Sequence, residues 1–288
     1  MSRPIVVGVD GSESAKAALD WAIDDAARRG RPLRIVHVRE PWKSERPFTK
    51  AHEEHTRSEQ EARLLAASEA RARTRAPGLN VTTAHLTGAV TQRLLTESET
   101  ADTLVVGNRG LGGFAGLVLG SVGLHLAGHA HNPLVIVRAP AHAGNGEVVA
   151  AYDGSDDADA ALEYALKQAA AIGARVLVVY AERYPSLAPQ GAGYGPLLAG
   201  AFADVETEIR QRLAPWREKY PGVELVESIV RGHPVPILAA ASRTADLIVI
   251  GPHGLGGFAS AVLGSVTHGV IHRVHCPVAV IRAPRRPS

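Results

Sequence analysis

Short apolar runs recur through the first half of the chain, each bounded by glycine or polar residues. They are rich in Val and Ile, and they stand at 5–9 (IVVGV), 33–38 (LRIVHV), 81–86 (VTTAHL), 103–107 (TLVVG) and 134–138 (LVIVR). Runs of this length are typical of β-strands, and the nearly unbroken ones are typical of strands buried on both faces of a parallel sheet. The pattern therefore predicts five strands in this half.

Helical periodicity fills the segments between the predicted strands. After the first run, apolar residues recur at spacings of three and four: Ala15, Ala18, Leu19, Ala22, Ile23 and Ala26. Ser12 stands where a helix N-cap is expected, and Gly30 where a helix end is expected. Further helices are predicted over 57–75, 90–99 and 122–130, with a glycine-rich loop before the last of them.

The second half of the chain repeats the first. Residues 107–140 recur as 251–284, and VDGSESAKAALDWA (9–22) recurs as YDGSDDADAALEYA (152–165). The repeat also predicts five further strands: VVAAY, VLVVY, LVESIV, LIVIG and VAVIR. A repeat of about 140 residues is too long for a solenoid and long enough to have a core of its own.

Each copy has the element pattern of an α/β domain. Strands that alternate with helices form a parallel sheet covered on both faces, and right-handed crossovers make it doubly wound. The prediction is two tandem doubly wound (Rossmann-like) domains, 1–140 and 146–285, each with a five-stranded parallel sheet. Ligands of such folds bind at the carboxyl ends of the strands, where the strand order reverses. The segments after the first, second and fourth strands are therefore the candidate site.

Composition excludes several classes of protein and indicates no binding partner. The 288 residues are 45% apolar and 21% charged, with a net charge of +2, so the chain lacks the basic excess of a nucleic-acid-binding protein. Cys276 is the single cysteine, which excludes an internal disulfide. No apolar run approaches the roughly 18 residues of a membrane helix, and the N-terminus lacks a signal-peptide pattern. The sequence predicts a cytoplasmic protein without a membrane or nucleic-acid partner.

A glycine-rich loop follows the fourth predicted strand of each copy. In the first copy Gly107, Gly110 and Gly120 are followed by Ser121 at the start of a helix. Glycines let the backbone approach a ligand closely, and amides at the N-terminus of the next helix attract anions. The loop thus has the features of a phosphate cradle. The alternative is a tight strand-to-helix connection that binds nothing.

The motifs, in this order, resemble the ATP-binding class of the universal stress protein family. The shared pattern is G-x2-G-x9-G-[S/T], and it is supported by V-G-V-D-G-S (7–12) and by A-H-N-P-L-V-I-V (130–137), which is echoed at 274–281. The resemblance covers nearly the whole chain, as a tandem two-domain member. It implies a regulatory role in the stress response, exerted through changes of conformation or partners, with ATP as the ligand, with or without Mg²⁺.

The resemblance also implies contact residues in each copy. In the family, the Gly and Asp of the first strand contact adenosine, the backbone after the second strand lies against adenine, and the glycine loop with the next helix start holds ribose and phosphates. The matching positions in the first copy are Gly8, Asp10, Val38, Gly107, Arg109, Gly110, Leu111, Gly112, Gly113, Gly120, Ser121 and Val122. Those in the second copy are Ala151, Asp153, Ala181, Gly251, His253, Gly254, Leu255, Gly256, Gly257, Gly264, Ser265 and Val266.

The second copy departs from the pattern at four positions. Ala151 and Tyr152 stand where the first copy has glycine and valine, and Pro252 and His253 stand where it has asparagine and arginine. The methyl group of Ala151 is expected to crowd a ligand, proline lacks an N–H donor, and histidine is charged only at lower pH. These departures make the second site the less complete of the two.

Several motifs allow other interpretations. Asp10 and Asp153 can also cap the turn before the first helix of each copy. The segment G-L-G-G-F-A (110–115) fits a dinucleotide fingerprint, but it follows the fourth strand and no acidic residue lies between 111 and 146, where that motif requires one. No G-x-x-x-x-G-K-[S/T] segment is present, which excludes a P-loop NTPase.

Histidines and two longer segments carry no assigned chemistry. The set His268, His272 and His275 has spacing suited to a metal, but the first copy lacks an equivalent, so helix-surface histidines are predicted. Residues 62–76 interleave Glu and Arg, which favours a solvated helix face over a basic binding groove. The Gly/Pro-rich segment 184–200 is compatible with a lid or with a contact surface.

Two other functions compete with nucleotide-dependent regulation. A slow ATPase or phosphotransferase needs a base to position water and usually a carboxylate for a metal. Asp10 is the one acidic candidate near the cradle, so neither a catalytic pair nor a metal site is predicted. A ligand-free interaction module is the other alternative. The resemblance further implies pairing of 134–138 with 278–282 within one chain, and a homodimer.

Overall fold

The structure is a computed structural model that describes residues 2–40, 50–111, 119–138, 145–182, 195–255 and 262–284. Its contacts divide the chain into two compact units, Met1–His142 with Pro277–Ala279 and Ala143–Cys276 with Val280–Ser288. Apart from Pro277–Ala279, each unit holds one copy of the sequence repeat.

The first unit alternates strands and helices throughout its described residues. In chain order the elements are β1 (Ile5–Gly8), α1 (Glu13–Arg29), β2 (Leu33–Arg39), α2 (Lys50–Arg75), β3 (Val81–Thr87), α3 (Val90–Thr100), β4 (Thr103–Gly107), α4 (Ser121–His129) and β5 (Leu134–Val137). The strands are parallel and lie in the order β3-β2-β1-β4-β5.

The second copy of the repeat follows the same succession. In chain order its elements are β6 (Glu147–Tyr152), α5 (Asp156–Ile172), β7 (Arg175–Glu182), α6 (Gly195–Lys219), β8 (Leu225–Arg231), α7 (Pro234–Ala241), β9 (Leu247–Ile250), α8 (Ser265–Arg273) and β10 (Val278–Val280). The strands β8-β7-β6-β9 pair in parallel. Just after β10, Ile281 donates its amide to the carbonyl oxygen of Ile250, at 2.9 Å.

The first helix of each unit begins and ends as its sequence predicts. The amide of Ala15 donates to Ser12 Oγ at 3.2 Å, and Gly30 closes α1 in the left-handed region with φ 59°. In α5 the cap is Ser155, and Gly173 closes the helix with φ 68°. Serine caps and left-handed glycine ends are the residues that these positions favour.

Helices cover both faces of the sheet in the first unit. Helix α1 packs against β1, β4 and β5 and against α2, whereas α3 and α4 pack against each other. The strands between them are almost wholly buried. The predicted fold class, a doubly wound α/β domain present twice, is confirmed. Among the described residues, no helix has both the length and the apolar character needed to cross a bilayer.

Helix α2 is longer than its sequence pattern predicts, since it begins at Lys50 and not near residue 57. Its exposed side is paired with α1: Arg71 Nη2 lies 2.7 Å from Asp20 Oδ2, and Arg75 Nη2 lies 2.8 Å from Asp24 Oδ2. The interleaved charges of this segment therefore form an ion-paired helix surface, which agrees with the predicted solvated face.

The strand order reverses at β1, which lies between β2 and β4. In doubly wound folds the chain leaves neighbouring strands in opposite directions at this point and opens a crevice above their carboxyl ends. The residues after β1 and after β4 are thereby brought together, although about a hundred positions separate them in sequence.

Candidate functional site

Asp10 ties the end of β1 to the glycine-rich loop after β4. One carboxylate oxygen, Oδ1, accepts the amide of Ser12 at 2.9 Å, and the other, Oδ2, accepts the amide of Leu111 at 2.9 Å. The first bond is the local turn that the sequence allowed as an alternative, and the second joins distant parts of the unit. Asp10 therefore caps a turn and positions the loop at the same time.

Glycine is required where this loop leaves the sheet. A Cβ at Gly107 would lie 2.7 Å from the carbonyl carbon of Ser14, and a Cβ at Gly110 would lie 2.7 Å from Asp10 Oδ2. Real side chains do not approach so closely, so each glycine permits a close contact of the loop with the residues after β1. The spacing of these glycines is explained by packing within the unit.

The far end of the loop closes onto its beginning. Gly120 donates its amide to the carbonyl oxygen of Asn108 at 2.8 Å, and α4 begins at the next residue. Among the described residues, no side chain caps this helix N-terminus. Uncapped amides at a helix start are oriented donors that favour an anion.

Two hydroxyl groups face the backbone of the loop. Ser14 Oγ donates to the carbonyl oxygen of Arg109, and Ser12 Oγ donates to the same atom at 3.3 Å. The side chain of Leu111 projects outward and is 73% exposed, and Arg109 is exposed beside it. The rim of the site thus carries one exposed guanidinium group above a backbone held by the residues after β1.

The second unit repeats the backbone part of this arrangement. Asp153 Oδ1 accepts the amide of Ser155 at 3.1 Å, and Oδ2 accepts the amide of Leu255 at 2.9 Å. Gly264 donates to the carbonyl oxygen of Pro252 at 2.8 Å. The aspartate bridge and the loop closure are therefore the same in both units.

Side chains around the second loop differ in charge from those around the first. Asp157 occupies the position of Ser14, and its Oδ2 lies 3.7 Å from His253 Nδ1. Its Oδ1 accepts the amide of Ala283 at 2.8 Å. A carboxylate thus stands where the first unit has a hydroxyl. The exchange is visible in the sequence, where Ser14 and Asp157 stand at matching positions of the two copies.

The loop after β6 has partners without a counterpart among the described residues of the first unit. Tyr152 donates its hydroxyl to Asp159 Oδ1 at 2.8 Å, and burial, with this bond, raises the pKa of Tyr152. Arg212 of α6 donates to the carbonyl oxygen of Gly154 at 3.2 Å. Burial also raises the pKa of Tyr180, on the neighbouring strand β7. Tyr152 and Arg212 therefore anchor the turn after β6.

The contacts at Gly8 show what surrounds a methyl group at the position of Ala151, and the crowding of a ligand by that group stays a prediction. At the matching Gly8, an added Cβ would lie 3.4 Å from Leu94 of α3 and 3.6 Å from Val106 of β4. Both are ordinary van der Waals distances inside the fold. A methyl group here packs toward a helix and a strand, so Ala151 is accommodated by the core of its unit.

The remaining site residues fall into three groups. Val38 and Ala181 lie near the carboxyl ends of β2 and β7 and are half-buried. The helix starts hold two residues each, and the central glycines of both loops lie outside the described residues. The helix-start residues are Ser121, Val122, Ser265 and Val266. The undescribed glycines are Gly112, Gly113, Gly256 and Gly257.

The histidines of α8 remain without a shared site. The rings of His268 and His272 are tilted by 47° with centroids 4.7 Å apart, and His268 and His275, which follows the helix, are exposed. No group of metal-ligating residues among the described part of the chain includes them. The segment 183–194, most of the proposed lid or contact surface, lies outside the described residues.

Fold and loop together define a class of protein: a tandem pair of doubly wound α/β domains, each with a glycine loop after its fourth strand held by an aspartate. A family model described as the universal stress protein family matches residues 1–138 and again 145–282. The chain belongs to this family.

Related proteins match this chain over nearly the whole length of both sequences. A universal stress protein of Mycobacterium tuberculosis is 32% identical over 310 residues, covering 99% of this chain and 96% of the relative. One of Mycolicibacterium smegmatis is 30% identical over 289 residues, covering 96% of each. A universal stress protein crystal structure from Archaeoglobus fulgidus has a TM-score of 0.70 at 22% identity, covering 98% of this chain and 97% of that one. That likeness supports the fold.

Proposed function

We propose that this protein binds ATP and acts in the stress response as a nucleotide-dependent regulator, with the first unit as its stronger site. The observation that carries the proposal is the Asp10 bridge, which holds the start of the glycine loop beside the uncapped N-terminus of α4. Because the loop is already ordered, its backbone amides can bind a polyanion without the entropy cost of ordering the loop at that moment.

The first unit supplies groups for both ends of the nucleotide, the phosphates and the base. Arg109, exposed on the loop, offers a cation to phosphate groups, and the amides at Ser121 and Val122 point along the axis of α4. Val38 lies at the end of the neighbouring strand β2, where it offers a half-buried apolar surface to a base. In this proposal Mg²⁺, when bound, neutralises part of the phosphate charge.

The second unit is less suited to a polyanion. The carboxylate of Asp157 adds a negative charge beside His253, and Pro252 has no amide to donate. Like charges within a few ångströms oppose binding by an amount that depends on solvent exposure. We therefore expect ATP to bind the second unit more weakly than the first.

Catalysis is not part of this proposal. Both carboxylate oxygens of Asp10 accept backbone amides, from Ser12 and from Leu111. A carboxylate engaged in this way stabilises the loop and is poorly placed to take a proton from water. The geometry thus favours a positioning role for Asp10 over that of a general base.

Paired glycine substitutions test the proposal. Gly120→Glu places a carboxylate at the helix start without a backbone clash, because the nearest atom to a Cβ there is Asn108 O at 3.7 Å and φ is −78°. The corresponding change in the second unit is Gly264→Glu, where the fit is tighter because a Cβ would lie 3.1 Å from the carbonyl oxygen of Pro252. Isothermal titration with Mg-ATP should show affinity lowered at least about tenfold by Gly120→Glu, and less by Gly264→Glu.

A direct readout accompanies the titration. Denaturing the purified protein and identifying any released nucleotide by chromatography tests occupancy as purified. The proposal is overturned if wild-type protein neither releases nucleotide nor binds Mg-ATP at millimolar concentration. The cytoplasmic location, the homodimer and the pairing of 134–138 with 278–282 stay predictions, and light scattering of the purified protein tests the dimer.

A further inference from the structure

Two histidines and a glutamate meet on the first unit, outside the glycine loop. His37 of β2 and His85 of β3 are direct partners in the parallel register, so both side chains stand on the same face of the sheet. Glu61 of α2 lies over them: its Oε2 is 2.8 Å from His85 Nε2, and its Oε1 is 3.9 Å from His37 Nε2. One candidate ligand atom from each residue lies within 4.8 Å of the others.

The orientation of His37 is set by the backbone. Its Nδ1 lies 2.7 Å from the carbonyl oxygen of Val9, and a carbonyl only accepts, so Nδ1 carries the proton. In the neutral ring Nε2 then holds a lone pair directed to the side of Glu61. A histidine whose second nitrogen donates to a carbonyl is the arrangement that orients imidazole as a metal ligand.

Glu61 is a buried carboxylate with cationic or donor neighbours. Its residue is 8% exposed, and Arg39 Nη1 lies 3.6 Å from the same oxygen that faces His85. A buried charge requires a partner, which His85 and Arg39 supply when no cation is bound. Because Arg39 is about one-third exposed, its side chain can turn to solvent when a cation takes its place.

We propose that His37, Glu61 and His85 form a binding site for a divalent transition metal ion of the Zn²⁺ class. Two imidazole nitrogens and one carboxylate oxygen are a three-ligand set that Zn²⁺ uses when it keeps a fourth position for water. On binding, the metal takes the place of the proton between His85 Nε2 and Glu61: a neutral ring moves that proton to Nδ1, and a cationic ring releases it to solvent. The site does not depend on the proposed nucleotide function.

The second unit provides an internal contrast. Register places Tyr180 and Ile229 as partners on β7 and β8, at the positions of His37 and His85. An isoleucine cannot bind a metal, so the site belongs to the first unit alone. Titration of the whole chain should therefore show one tight Zn²⁺ site, not two.

Substitution of the ligands tests the site in the full-length protein. Metal-free protein is titrated with Zn²⁺ at pH 7.5 by calorimetry, and far-UV circular dichroism confirms that each variant is folded. Glu61→Gln and His85→Gln should each lower Zn²⁺ affinity by at least about 100-fold, since loss of a ligand exceeds the roughly 10–100-fold effect of outer-shell changes. The control is the double variant His125→Ala and His129→Ala, an exposed stacked pair on α4, which should keep wild-type affinity.

A second measurement needs no variant. In the histidine NMR spectrum of the wild-type protein, Zn²⁺ should shift the ring signals of His37 and His85 together at one equivalent. The proposal is overturned if the wild-type protein binds no Zn²⁺ at micromolar concentration or if other histidines shift instead. Equal affinity in Glu61→Gln, His85→Gln and wild type also overturns it.

Discussion

The two units hold their glycine loops with the same backbone bonds but surround them with different side chains. In each, Oδ2 of an aspartate after the first strand accepts a backbone amide of the loop at 2.9 Å: Asp10 from Leu111, and Asp153 from Leu255. Around the first loop stand Ser14 and an exposed arginine; around the second stand Asp157 and His253. The difference shows which parts of the loop are set by the fold and which can change.

Positions set by the fold are those where a side chain would strike the backbone. The two units share glycine at the matching positions 107 and 251, and at each an added Cβ would lie 2.7 Å from a residue of the first helix of its unit, Ser14 of α1 or Asp157 of α5. Gly8, by contrast, is replaced by Ala151, and the geometry at Gly8 leaves room for a methyl group. The glycines that both units share are therefore those where a side chain has no room, and the glycine that differs between the units is one where a methyl group fits.

The largest predicted effect tests this steric distinction. Gly107→Ala forces a methyl group against the backbone of Ser14 and should lower the free energy of unfolding by about 3 kcal/mol. Gly8→Ala is its matched control and should change stability by less than about 1 kcal/mol, since alanine is favoured over glycine in a strand. Urea unfolding followed by circular dichroism measures both. Equal losses in the two variants would refute the distinction.

The elements with local signals could be predicted from the sequence. Ser12 and Gly30 marked the ends of α1, and apolar runs marked each strand of the first unit. The start of α2 is not predictable in this way, because residues 50–56 are mostly polar and carry no helical periodicity. The local sequence pattern is sufficient to predict the ends of a helix that buries one face, and it is insufficient for a helix that is mostly exposed.

Site contacts were only partly predictable, because they join distant segments. The sequence predicts Asp10 as a site residue or a turn cap, but its bond to Leu111 forms only because β1 and β4 are adjacent in the sheet. The sequence does not predict the pairing of His37 with His85, although each is the fifth residue of its strand. That count becomes a contact only when the strands are known to be adjacent and in register.

The next prediction exchanges charge between the two loops. Ser14→Asp copies the second unit into the first and should weaken Mg-ATP binding about 30-fold, close to 2 kcal/mol, because it adds a negative charge beside the loop. Asp157→Ser makes the reverse change and should strengthen binding to the second unit about tenfold. Calorimetry of both variants decides whether the charge at this position sets the order of the two sites. Unchanged affinities would show that it does not.

A smaller effect concerns Tyr152, which stands where the first unit has Val9. Tyr152→Phe removes the bond to Asp159 Oδ1 and should lower the free energy of unfolding by about 1 kcal/mol near neutral pH. Burial raises the pKa of Tyr152 above its ordinary value of 10.0, so the folded state retains this proton more tightly than the unfolded state. The contribution is therefore complete below pH 10 and is lost as pH rises further.

Urea unfolding across pH 8 to 11 measures the effect on Tyr152. The stability curves of wild type and Tyr152→Phe should approach each other above pH 10. Val9→Ala is the control for the matching position in the first unit, and its difference from wild type should not depend on pH in this range. A constant difference for Tyr152→Phe would contradict the prediction.

The smallest expected effect concerns the ion pairs that join two helices in each unit, α1 with α2 in the first and α5 with α6 in the second. In the first, Asp20 of α1 accepts two bonds from Arg71 of α2. In the second, Glu163 of α5 accepts Lys219 Nζ of α6 at 2.9 Å, and Lys167 of α5 itself lies 3.1 Å from the same carboxylate. The hydrogen bond from Lys219 is the main cause that lowers the pKa of Glu163 below 4.5. Its stabilising contribution is therefore present above pH 4.5 and is lost as pH falls through the lowered pKa.

Glu163→Gln should thus lower the melting temperature by only roughly 1–2 °C at pH 7, because lysines exposed to solvent are screened. The difference from wild type should vanish below the lowered pKa. Asp20→Asn, which removes a planar two-point contact with arginine, should have the larger effect at pH 7. A double-mutant cycle of Glu163→Gln with Lys219→Gln isolates the pair. If Glu163→Gln proves more damaging than Asp20→Asn, the geometry of the arginine pair does not govern the coupling between these helices.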